Sequence, residues 1–73
     1  MSEVSAEGWI AEFAAAAGAD APDEATVEKL LKLASVAAHS SERRAAPIAC
    51  WIAASAGVDP DRAIAIAEGL GEG

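Results

Sequence analysis

The stretch "DEATVEKLLKLASVAA", residues 23–38, carries the cleanest amphipathic pattern in the chain. Val27, Leu30, Leu31, Ala34, Ala37 and Ala38 recur at spacings of three and four, which is the period of one helix face. Acidic residues lead and Lys29 and Lys32 follow, an order that complements the helix dipole. Glu28 precedes Lys32 by one turn, the favourable orientation for an ion pair along a helix. The stretch predicts a helix over about 23–38 with those six residues turned to the core.

The same period returns on both sides. Upstream, "SAEGWIAEFAAAAG" predicts a helix over 6–17, capped by Ser5 and stopped by Gly18. Val4 and Trp9 match a hydrophobic staple, and Trp9, Ile10, Phe13, Ala14 and Ala17 share a face. Downstream, a third helix is expected over about 44–56. Pro47 belongs in its first turn, because deeper it would remove a helix hydrogen bond. Ile48, Trp51, Ile52 and Ser55 form its apolar face, and Gly57 ends it. In "VDPDR", Asp59 is the expected N-cap and Pro60 the first helical residue of a fourth helix over 60–69. Its inner stripe is Ala63, Ile66, Ala67 and Leu70, with Ile64 beside it. Nothing alternates as a strand would. Short linkers favour antiparallel neighbours, so residues 1–73 read as a single all-α domain, a compact bundle of four short helices.

Composition bounds the core and the partners. The hydrophobic fraction is 53%, but more than half of those residues are alanine, which forms helix well and buries little surface. The larger apolar set is lean: four Leu, five Ile, four Val, and Trp9, Phe13 and Trp51 as the aromatics. Close packing through alanine faces around a small aromatic-aliphatic centre is expected, with both tryptophans in the core. A net charge of −7 opposes phosphate-backbone binding, and the absence of Asn, Gln and Tyr removes the amides that read adenine edges. No nucleic-acid partner is expected. One cysteine, Cys50, makes no intramolecular disulfide, and with the single histidine it cannot complete a zinc site. No metal or cofactor is expected, Cys50 reads as a small buried hydrophobe, and neither a signal peptide nor a membrane span stands out. The expected setting is cytoplasmic.

The least typical stretch is "AAHSSERRAAPIACW", residues 37–51. His39 lies within five residues of Arg43 and Arg44, and Pro47 follows. One reading is a joint: His39 meets the last carbonyls of the second helix, Ser40 or Ser41 caps the third, and the arginines pair with any of the twelve carboxylates. The other is a small anion- or carboxylate-binding site on an acidic surface. Catalysis is not expected. His39 is the only candidate base near neutrality, no oxyanion glycine motif accompanies it, and the glycines are helix stops rather than phosphate loops.

The order "GWIAEFAAAAG…EKLLKLASVAAHSSERRAAPIACWIAASAG" resembles an uncharacterised bacterial family of small helical domains. The motif that carries the resemblance is Ala38-His39, Glu42-Arg43 and Ala45-Ala46-Pro47. The chain departs from it at Arg44, where proline is frequent, and at Ser41, where an aliphatic is common. Members of that family are free-standing or fused to the molybdenum-cofactor guanylyltransferase. The resemblance implies a non-enzymatic accessory domain in molybdenum-cofactor biosynthesis or delivery, with a protein partner. The implied contact residues are His39, Glu42, Arg43, Arg44 and Pro47. Two alternatives from other classes are a small carrier of the pterin nucleotide and a self-associating helical domain with no ligand.

Overall fold

The computed structural model describes residues 5–71, which form four α-helices and no strand: α1 (Ala6–Ala17), α2 (Glu24–Ser40), α3 (Ala45–Ala56) and α4 (Pro60–Gly71). The architecture is an all-α bundle. α2 is its spine and packs against both α3 and α4. α1 meets the start of α2 around an open cleft lined by Ile10, Pro22, Val27 and Leu31.

Local chemistry sets each helix start. The Ser5 hydroxyl accepts from the Gly8 amide at 3.0 Å, the Asp23 carboxylate from Thr26 at 2.8 Å, and the Asp59 carboxylate from Arg62 at 3.0 Å. These bonds satisfy amides that have no partner inside the helix. Hydrogen bonding from the Thr26 side chain and then its amide holds the Asp23 carboxyl below the usual carboxylate range. The cap therefore contributes at neutral pH and is lost as pH falls through that lowered value. Asp23 is the cap, so α2 begins one residue later than expected, and it runs two residues beyond Ala38 to include His39. Val4, the other half of the expected staple, lies outside the described residues.

α1 and α3 end alike. Gly18 and Gly57 adopt left-handed backbone (φ 76° and 72°), and the amides of Ala19 and Val58 reach back to Ala14 and Ala53 at 2.9 Å. This is the Schellman arrangement. A methyl group at Gly57 would meet open space, so the penalty of Gly57→Ala is conformational. We expect it to cost about 1–2 kcal/mol, and Gly57→Asn clearly less, in paired chemical denaturations.

Packing departs from the sequence pattern on several helices, most of all on α3. Among the described residues only Ala14, Leu33 and Ala63 are buried, and no aromatic is. Leu33, absent from the expected stripe of α2, is 2% exposed, whereas Leu31 is 64% exposed. Val27, Leu30, Ala34, Ala37 and Ala38 are half-buried as expected, so the expected face of α2 holds except that Leu33 takes the place of Leu31. In α3 the expected apolar face of Ile48, Trp51, Ile52 and Ser55 points to solvent, and Ala45, Ala46, Ala49, Cys50 and Ala53 face α2. In α4, Ala63 is buried and Ala67 and Ile64 are half-buried, while Ile66 and Leu70 are exposed. Small side chains let helix axes approach closely, and in α3 the alanine face occupies the position that the pattern assigned to larger residues.

The expected Glu28–Lys32 pair is not among the ion pairs of the described residues. Lys29 instead reaches Asp61 of α4 at 2.9 Å, tying the spine to the last helix. That hydrogen bond raises the Lys29 pKa, so its contribution persists at neutral pH and is lost above the ordinary lysine range. Cys50 is half-buried with its thiol 3.9 Å from the Leu30 carbonyl, and burial pushes the thiol pKa up, which keeps it protonated.

Candidate functional site

His39 occupies the last turn of α2, where its imidazole bonds back along its own helix: Nδ1 lies 2.8 Å from the Ser35 carbonyl and 3.3 Å from the Ser35 hydroxyl. A carbonyl only accepts, so Nδ1 carries the proton and Nε2 is left for another partner. The Ser35 carbonyl lies more than a turn before the end of α2 and already accepts within the helix, so the ring does not meet the last carbonyls as the joint reading expects.

α3 starts without the serine cap expected from the sequence. Arg44 takes the N-cap position in helical backbone and makes no side-chain cap. The lead-in is a tight turn, with the amides of Ala45 and Ala46 donating to the carbonyls of Glu42 and Arg43 at 2.9 and 3.1 Å. Pro47 is the third helical residue, where its missing N–H leaves no bond unmade.

The five candidate residues are brought together only in part. Glu42, Arg44 and Pro47 border a shallow notch with Ser41, Ala45 and Ile48. His39 and Arg43 do not line it. The Arg44 guanidinium stands 3.5 Å from the Glu42 carboxylate, and both side chains are largely exposed. A guanidinium in that setting is neither desolvated nor locked, so the notch suits a partner's surface carboxylate better than a deeply bound anion. Among the described residues no three His, Cys, Asp or Glu side chains gather as metal ligands, and no helix is long and apolar enough to cross a membrane.

The notch opens onto a second feature that sequence reasoning placed correctly as a face and wrongly as core. α3 has no charged residue from Ala45 to Ala56, and Ser55 is its only polar side chain. Yet Trp51 is 70% and Ile48 58% exposed, with Ile52 alongside. A helix apolar on every side is ordinarily covered on every side. On α1, Trp9 and Phe13 stack with centroids 5.2 Å apart and are also exposed. The signal available in the sequence was the second apolar face of α3, the alanines opposite Ile48 and Trp51, which left two candidates for the inner side.

The chain matches a family model described as a domain of unknown function, DUF6457, over residues 1–71, and it belongs to that family. No curated protein and no solved structure gives a significant match.

Proposed function

We propose that this DUF6457 domain is a non-enzymatic interaction module that binds a protein partner through the outer face of α3. Ile48 and Trp51 form the apolar centre of the contact. Arg44, Glu42 and Pro47 form its rim at the notch, with Arg43 and His39 beside it. The observation that carries the reading is an uncharged helix whose bulky residues face solvent on a chain of net charge −7. An apolar centre with a polar rim is the anatomy of a protein–protein contact. An exposed tryptophan beside arginine supplies the residue types that dominate binding energy.

The partner belongs, in this reading, to molybdenum-cofactor biosynthesis or delivery, the context that the sequence resemblance implies. A pterin-nucleotide carrier is less well supported. Phosphate capture would need both guanidinium groups to converge, and only Arg44 borders the notch.

The test is capture of purified molybdenum-cofactor guanylyltransferase on the immobilised domain. Capture is expected with the wild-type chain, loss with Ile48→Asp, and a ~10-fold weakening with Arg43→Ala/Arg44→Ala, the scale of one or two desolvated charge contacts. No capture by the wild type ends the molybdenum context. Capture unaffected by Ile48→Asp moves the contact off α3.

A further inference from the structure

A second apolar feature lies beside α3, between it and α4. It is a groove of about 220 Å³ bordered by Ile52, Ala53, Ala56, Val58, Ile66 and Leu70, with Leu33 and Ala63 at its floor. Its border contains no charged residue. Leu70, on its edge, is 77% exposed, and Ile66 is exposed as well. Ridge and groove thus adjoin on one surface of the molecule.

We infer that this surface pairs with a second copy of the chain, α4 lying antiparallel to the α4 of its partner across a two-fold axis near Ile66. Three observations select this occupant. The first is shape. Under two-fold symmetry a protruding row beside a groove is self-complementary, because each copy's Ile66 and Leu70 enter the other's groove.

The second is Gly69. It stands inside α4 in ordinary helical backbone, and a Cβ there would meet nothing within 4 Å. A glycine within a helix costs stability relative to alanine, and here neither backbone geometry nor packing within the chain requires it. Close approach by another chain does. Arg62, Ile66, Gly69 and Leu70 follow at i, i+4, i+7 and i+8, so they share one side of the helix.

The third is charge. α4 has no basic residue in its last turn to offset the negative end of its dipole. Arg62, one turn from Ile66, has no ion pair among the described residues. Antiparallel pairing sets Arg62 of each copy against the last turn of the other's α4. There the missing side chain of Gly69 leaves room for the guanidinium. The contact also avoids Glu7 and Glu12 of α1 and Glu24 and Glu28 at the start of α2.

α4 has twelve residues and spans only ~18 Å, so the association is weak and visible through its concentration dependence. Sedimentation equilibrium on the full chain over a wide concentration range is the experiment, with thermal unfolding of every variant alongside. The wild type is expected to pass from monomer to dimer, and Ile66→Asp to stay monomeric. Gly69→Ala is the decisive variant. It is expected to raise the monomer's melting temperature, since alanine favours the helix, and yet to raise the dimer dissociation constant at least ~5-fold by forcing a methyl group into the contact. Arg62→Glu is expected to weaken the dimer at least ~2-fold at low salt. A wild type that is monomeric throughout overturns the inference. So does a dimer indifferent to Ile66→Asp, or one for which Gly69→Ala raises the melting temperature and leaves association unchanged. Trp51→Asp is expected to leave the dimer intact, which separates this surface from the outer face of α3. A dimer lost in Trp51→Asp and retained in Ile66→Asp also overturns it.

Discussion

Replacing Leu33 with alanine is expected to unfold a large fraction of the protein at room temperature, while the same change at Leu31, two residues away, is expected to do almost nothing. Leu33 is the largest buried side chain among the described residues, held between α2, α3 and α4; the other two buried residues are alanines. Truncating a buried leucine removes its transfer free energy and leaves a cavity, at a combined cost of about 2–5 kcal/mol. A single small core of this size supplies roughly 3–5 kcal/mol of net stability, so the loss is comparable with the whole. Leu31 lies largely in solvent, where substitutions stay within about 0.5 kcal/mol. Urea unfolding of the two variants followed by circular dichroism decides the matter. Equal midpoints for Leu33→Ala and Leu31→Ala would mean that α2 turns a different face to its neighbours.

The second large effect concerns binding and leaves the fold intact. On the proposed contact, Trp51→Ala is expected to weaken capture of the guanylyltransferase by ~30-fold or more, the scale of a tryptophan anchor worth at least ~2 kcal/mol. Its unfolding midpoint is expected to stay near that of the wild type, because Trp51 is 70% exposed and contributes little packing within the chain. The Trp51 emission is expected to shift to the blue when the partner is added, with Trp9→Phe used to remove the other indole. A variant that binds normally but has lost stability would place Trp51 in the core, where the sequence pattern had put it. A variant that loses binding and keeps its stability supports the outer face of α3 as the contact.

The arginine pair shows what the joint can and cannot do. His39 is engaged with Ser35, Arg44 leans toward Glu42, and Arg43 stays outside the notch. These are the contacts of a capped turn with exposed cations at its edge. On the proposed contact they form a rim that suits acidic neighbours. They do not enclose a ligand.

The four helices and most of their starts and stops were legible in the chain itself; the exceptions are α2, which begins after Asp23 and runs on to Ser40, and α3, which starts at Arg44 without a serine cap. Ser5, Asp23, Asp59 with Pro60, Gly18 and Gly57 each act within a few residues of their own position, through hydrogen bonds and backbone angles that local sequence controls. The absence of strands and the four-helix architecture followed from the same local period. The inward face of each helix was a different matter, because α3 and α4 carry two apolar faces, one of alanines and one of larger residues. Periodicity gives the angle between the two faces and does not choose between them. That choice depends on how closely two axes can approach. The alanine side of α3 allows close contact with the spine, while Ile48 and Trp51 would hold it away. Only the tertiary structure decided this: it turns the alanines of α3 to the spine and leaves Ile48, Trp51 and Ile52, expected to fill the core, on the surface.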